Sequence, residues 1–168
     1  MTFAVEKMKD EDWPMVQSIY REGIAMGNAT FETDTPEWDV WDKSHLRDCR
    51  LVAKSKGQVI GWAALSPVST RRVYSGVAEV SLYVKSSARD IGVGKALLRA
   101  LIEESEQAGI WTLQGMTFPE NAASIALQKS CGFREVGYRE RIGQINSFWR
   151  DVILMERRTS KELEEKTP

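Results

Sequence analysis

The chain has 168 residues, 42% of them hydrophobic and 28% charged, with 23 basic against 24 acidic residues and a formal net charge of -1. That length fits one domain with one sizeable core. The balanced charge offers no bulk attraction to nucleic acid or to an acidic membrane, and no apolar run approaches the ~20 residues of a membrane-spanning helix. With no signal-like segment, the chain is read as a cytoplasmic protein. Cys49 and Cys131 have no metal-like or redox-like spacing and are read as reduced thiols rather than as a pair. The single histidine, His45, lies in WDKSHLRD, which reads as a solvated helix face and not as a metal site or a catalytic triad.

In chain order, TFAVEKM alternates like a short strand. KDEDWPMVQSIYREGIAMG reads as a helix with acidic residues and Pro14 at its start, where unpaired N–H groups favour negative charge and proline costs nothing. NATFETD breaks the pattern. TPEWDVWDKSHLRD predicts a second helix, capped by Thr35 with Pro36 in its first position. RLVAKSKGQVIGWAALSPV predicts two strands joined by a tight turn at SKGQ, followed by a loop at RRVYSG. Val77–Val84 is a further strand, with Glu79 interrupting its apolar run.

GVGKALLRALIEESEQAG predicts a helix with Leu97, Leu98, Leu101 and Ile102 on one face and Gly109 at its end. IWTLQGMTF is a strand, PENAASIALQKSCG a short helix ending at Gly132, and FREVGYRERI and FWRDVILMER two last strands. Residues 1–158 form a single domain in this reading, and 159–168 a charged tail expected to fray. Helices alternate with strands only in the second half. The fold class is therefore α/β of the α+β kind, a mixed sheet with helices on both faces.

RDIGVGKALL, Arg89 to Leu98, carries the chemistry. It fails the Walker A pattern at two positions, because Arg89 stands at the first glycine and Ala96 at the Ser/Thr. It fails the dinucleotide fingerprint because Leu97 stands at the third glycine. What it does describe is a strand end, a turn and a helix start at Gly92 and Gly94. The backbone N–H groups of Ile91 to Lys95 would face a pyrophosphate, with Arg89 and Lys95 adding charge.

Arg-x-x-Gly-x-Gly after a YV-ending strand resembles the acetyl-CoA pyrophosphate motif of the GNAT superfamily of N-acetyltransferases. NAASIALQKSCGF resembles that superfamily's second segment. Within it, ATFET, RRVYSGVAEVSLYV and WRDV are similar to the phosphinothricin and methionine sulfoximine/sulfone acetyltransferases. The resemblance implies a mostly antiparallel twisted sheet with a splayed central strand pair. It also implies acetyl-CoA as acyl donor, no metal, a small-molecule amine as acceptor, and a homodimer. Nucleic acid and membrane are not expected partners.

The resemblance further implies which residues bind. Backbone at Leu82, Tyr83 and Val84 would pair with the pantetheine arm. Arg89, Asp90, Ile91, Gly92, Val93, Gly94 and Lys95 would hold the pyrophosphate, and Asn121, Ser124 and Lys129 would contact the cofactor. Glu79 is the candidate base. A carboxylate inside an apolar strand is partly desolvated and so a better proton acceptor. The superfamily's usual acid, a tyrosine, is replaced by Gln128, leaving a water or Tyr83 for that role. Phe31, Glu32, Arg71, Arg72, Tyr74 and Trp149 would wall the acceptor site, an arginine clamping a carboxylate. Asp151 matches the family with no evident role. The function expected is transfer of an acetyl group to a small amino acid or analogue by direct attack. The alternatives are a protein N-terminal or lysine acetyltransferase and a non-catalytic acyl-CoA-binding module.

Overall fold

The computed structural model describes residues 1–161. Seven strands form one sheet in the order β1-β2-β3-β4-β5-β7-β6. They span β1 Ala4–Lys7, β2 Leu51–Ser55, β3 Gln58–Pro67, β4 Val77–Val84, β5 Thr112–Thr117, β6 Arg134–Ile145 and β7 Phe148–Arg158. Every pairing is antiparallel except β4 with β5. Four α-helices cover the sheet: α1 Trp13–Ala25, α2 Trp38–Ser44, α3 Val93–Gln107 and α4 Ala122–Ser130.

Alternation along the strands sorts two cores onto the two faces. On one face Trp62 and Ala64 of β3 meet Trp13, Val16 and Tyr20 of α1 and Trp41 of α2. On the other, Ala63 and Leu65 of β3 and Ala78 of β4 meet Val93, Leu97, Leu98 and Leu101 of α3. Helices thus lie on both faces, as their apolar stripes require.

Local signals set most boundaries. Lys56 and Gly57 both have positive φ and make the two-residue β2–β3 turn, as Asn146 and Ser147 do for β6–β7. Helix α3 ends in a Schellman motif, with Ile110 N–H donating to Ser105 O at 2.9 Å and Gly109 at φ 79°. At the end of α4, Phe133 and Gly132 repeat that arrangement.

Two readings need correction. The second helix does not start at a Thr35 cap or run to Asp48. Its N-cap is Glu37, without a side-chain bond, and it covers Trp38–Ser44. Helix α1 has taken the preceding segment instead: Arg21 donates to the Thr35 hydroxyl at 3.3 Å and Gln17 to Pro36 O at 3.0 Å. The segment KDED, read as the start of the first helix, contains a 3-10 turn, Asp10–Asp12, with α1 beginning at Trp13.

Of the tail expected to fray, Thr159 is tied to the body through Trp111 O and Glu106, and residues 162–168 lie outside the described residues. Both thiols are free, and burial pushes the Cys49 thiol up to about 11. His45 is half-buried, stacked on Trp41 with centroids 4.2 Å apart, and burial lowers its pKa. No helix of the described residues is long and apolar enough to cross a membrane.

Candidate active site

Strands β4 and β5 are paired only over Val77–Glu79 against Thr112–Gln114. Beyond Glu79 the two part. Val80–Val84 keeps only β3 as partner, and Gly115–Thr117 only β7. A cleft of about 650 Å³ occupies the gap. Its walls are β4 from Glu79 to Val84, β5 from Gly115 to Thr117, the first turn of α3, α4, and the loop after α1 at Asn28–Glu32.

At one end the chain turns into α3. Gly92 is the N-cap with φ 89°, a conformation glycine adopts without a Cβ penalty. Ala96 N–H donates to Gly92 O, so Val93, Gly94 and Lys95 keep N–H groups without helical partners. Unpaired N–H groups, a helix dipole and two nearby cations, Arg89 and Lys95, give this end of the cleft a positive potential that suits an anion. The turn leading in is stapled by Glu22 of α1. Its carboxylate accepts the Ser86 N–H at 2.8 Å and the Ser86 hydroxyl at 2.7 Å. Those bonds, chiefly the hydroxyl's, hold the Glu22 carboxyl below the usual carboxylate range. Arg89 reaches back across the mouth to Met26 Sδ at 2.8 Å.

At the other end, Glu79 projects from the face that carries α1 and α2, where Gln114 Nε2 donates to its Oε1 at 3.0 Å. The Tyr83 ring packs between Tyr20 and Trp62, with centroids 4.8 and 5.0 Å away. Burial, then Tyr20, pushes the Tyr83 phenol well above its ordinary value, so it is a poor proton donor at neutral pH. Burial, then Glu32, pushes Tyr20 up to about 12.

Most of the site residues expected from sequence meet in this one cleft. Glu79, Leu82, Tyr83, Val84, Arg89, Asp90, Gly92, Val93, Gly94, Lys95, Asn121, Ser124, Phe31 and Glu32 line it. Others stand apart. Ile91 projects outward and is exposed. Lys129 pairs with Glu135 at 3.6 Å. Arg71 stacks on Tyr74 at 5.5 Å, with Arg72 beside them in the turn before β4. Trp149 is exposed at the start of β7. Asn121 lines the cleft with both polar atoms engaged: Oδ1 caps α4 by accepting Ser124 N–H, and Nδ2 donates to Asn28 O, each at 3.1 Å.

Three residues not expected from sequence complete the site. Gln114 holds Glu79. Arg150 of β7 donates to Gly27 O at 3.1 Å and lies 4.0 Å over the Phe118 ring, which meets Phe31 edge-on at 5.0 Å. Thr117 accepts from Gln128 Nε2 at 2.8 Å, so Gln128 is tied into the wall of the cleft. No periodicity marks these contacts, because each joins residues of two different elements, at separations from 11 to 123 positions.

The chain belongs to the acetyltransferase (GNAT) family, whose model matches residues 9–133. It is an N-acetyltransferase, and its mostly antiparallel seven-stranded sheet with four helices is the fold of that family. Among curated relatives it is 30% identical to phosphinothricin N-acetyltransferase of Alcaligenes faecalis, over 91% of this chain and 81% of that one. It is 31% identical to the L-methionine sulfoximine/L-methionine sulfone acetyltransferase of Pseudomonas paraeruginosa, over 86% and 88%. Among solved structures, a phosphinothricin acetyltransferase from Sinorhizobium meliloti in complex with acetyl-CoA superposes with a TM-score of 0.86 at 29% identity, covering 94% of this chain and 89% of that one. A ribosomal-protein-alanine N-acetyltransferase from Brucella melitensis gives 0.87 at 30%, covering 93% and 99%.

Proposed function

We propose that this chain transfers the acetyl group of acetyl-CoA to the amine of a small amino acid or analogue of the phosphinothricin, methionine sulfoximine or methionine sulfone type. The observation that carries the reading is the cleft itself. It runs between parted strands, with an anion site at Gly92–Lys95 at one end and the Glu79 carboxylate at the other. Its residues fit a pyrophosphate joined to a long amide-bearing arm: free N–H groups at α3, then the unpaired strand edge of Val80–Val84, which can bond extended amides as an added strand would.

Acetyl-CoA supplies the acyl group as a thioester. An α-amino group has a pKa of about 8, so near neutral pH it must lose a proton before attack. Glu79 accepts that proton. The amine nitrogen then bonds to the acyl carbon, the carbon–sulfur bond breaks, and the sulfur leaves with its electron pair and takes up, directly or through water, the second proton that the nitrogen releases. Backbone N–H groups of β4 at the open edge stabilise the oxyanion. Gln128 has no acidic proton to offer, but a thiol pKa of about 8.5 makes the thiolate a tolerable leaving group. Phe31 and Glu32 form the acceptor-side wall, with Arg71, Arg72 and Tyr74 in the turn nearest the Glu79 end of β4.

A homodimer is part of the reading. Tyr138, Phe148 and Trp149 expose apolar surface on β6 and β7 that a second copy would cover, and sedimentation velocity tests it.

The function is tested by release of free CoA thiol from acetyl-CoA with a panel of amines: phosphinothricin, methionine sulfoximine, methionine sulfone, the common amino acids, a polyamine, an aminoglycoside and a peptide N-terminus. Turnover confined to the first three is the expected result. Turnover on the peptide alone selects a protein acetyltransferase. Tight CoA binding with no turnover on any amine selects a binding module.

A further inference from the structure

Glu79 stands in a row of side chains that crosses five strands on one face of the sheet. Ser66 of β3 opposes Glu79 of β4, Glu79 opposes Gln114 of β5, Gln114 opposes Glu156 of β7, and Glu156 opposes Arg134 of β6. Directly opposed residues share a face, so these polar groups are neighbours. At the far end Arg134 Nη2 lies 2.7 Å from Glu156 Oε2, and that charge is met there. The amide of Gln114 has therefore turned the other way, to Glu79 Oε1. Among the described residues it makes the one side-chain hydrogen bond to Glu79. The Glu79–Gln114 rung is also the last at which β4 and β5 are paired. The amide fixes the carboxylate at the apex of the split.

We propose that Gln114 is a positioning residue for Glu79. It holds Oε1 and leaves Oε2 to take the proton of the attacking amine. The proposal rests on the reading of Glu79 as the base. An amide suits the position chemically. It donates to a carboxylate and so favours the charged, proton-accepting form, yet it carries no titratable proton of its own. A carboxyl at this place would share a proton with Glu79. An apolar side chain would leave the carboxylate free to rotate. The other polar groups on this side of the sheet are Ser66 from β3, Ser81 and Tyr83 along β4, Tyr20 from α1, and Thr30 and Glu32 from the loop after α1. Among the described residues no cation forms an ion pair with Glu79, so the amide is its one side-chain donor.

The test is the acid limb of kcat/KM against pH for the wild type, Gln114→Leu, Gln114→Glu and Glu79→Gln, with the amine that the panel above selects. In Gln114→Leu the limb moves to higher pH by about one unit, because a hydrogen bond to the charged form is lost. In Gln114→Glu it moves further, because two adjacent carboxyls cannot both ionise easily. The KM for acetyl-CoA is unchanged in both. A limb that stays in place in both Gln114 variants, while Glu79→Gln abolishes it, overturns the role of Gln114 and leaves Glu79 as base. Wild-type rate and limb in Glu79→Gln overturn the base assignment and this proposal together. Should the leucine variant fail to fold, the nearly isosteric glutamate variant decides alone.

Discussion

The carboxylate of Asp151 on β7 accepts the backbone N–H of Arg141 on β6 at 2.7 Å, and the Tyr138 hydroxyl donates to its other oxygen. Arg141 has φ 47° and lies inside the register shift between Arg139 and Gly143. Asp151 thus pins a bulge, and bulges bend the strand that carries them. Past the bend, Gly143 closes on Phe31, where a Cβ would stand 2.7 Å from the ring. A residue with no evident role in the sequence shapes the strand that backs the loop after α1.

The two donors, the Tyr138 hydroxyl first, hold the Asp151 carboxyl below the usual carboxylate range. A group whose pKa is lower folded than unfolded contributes stability above its unfolded pKa and loses it as pH falls through the folded value. Asp151→Asn is therefore expected to melt below the wild type at neutral pH, with the gap closing in acid. Melting curves from pH 7 down to pH 3 check this. A gap independent of pH would mean that the charge contributes nothing.

Arg150 acts on the same loop from the next position. It joins Gly27 O to the ring of Phe118, a residue of the cleft wall, and pairs with Glu120 at 3.5 Å, without lining the cleft itself. Arg150→Met removes one hydrogen bond to a charged donor and one cation–π contact, about 2 kcal/mol together. The KM for the amine should rise by up to about thirtyfold while that for acetyl-CoA holds. Steady-state kinetics varying each substrate in turn separate the two, and equal rises in both would place the effect in the whole fold.

Gly23 shows packing overriding propensity. Alanine in mid-helix is favoured by roughly 0.5–1 kcal/mol. A Cβ at Gly23, however, would stand 2.5 Å from Tyr83 Cδ1. Gly23→Ala should be net destabilising by about 1–2 kcal/mol, and it should weaken substrate binding as Tyr83 is pushed from its place against Trp62. Urea unfolding reads the first effect. A stabilised variant would show that the ring moves at no cost.

Gly92 tests the anion site. A Cβ there meets no heavy atom within 4 Å, so the penalty for alanine is the left-handed backbone alone, about 1–2 kcal/mol. For a chain of this size that lowers Tm by a few degrees, about 2–4 °C per kcal/mol. The KM for acetyl-CoA should rise while that for the amine does not. Calorimetry of CoA binding checks the assignment directly, and undiminished affinity would move the pyrophosphate elsewhere.

The sequence by itself determined the elements that close within a few residues. Turn chemistry at Lys56-Gly57, helix stops at Gly109 and Gly132, and the glycine start of α3 depend on local φ, which residue type dictates. Strand and helix periods likewise sort the two core faces, and the joined motifs at Arg89–Lys95 and Asn121–Phe133 are enough to identify the family. The start of the second helix is not legible locally, because Gln17 and Arg21, more than a dozen residues upstream, bind the segment expected to cap it.

Only the tertiary structure decided where β4 and β5 part, that Gln114 faces Glu79 across 35 residues of chain, and that Arg150 and Asn121 hold a loop 123 and 93 residues away. Such contacts depend on sheet order and register. Those are set by the summed packing of both faces, and no short window of sequence contains that sum.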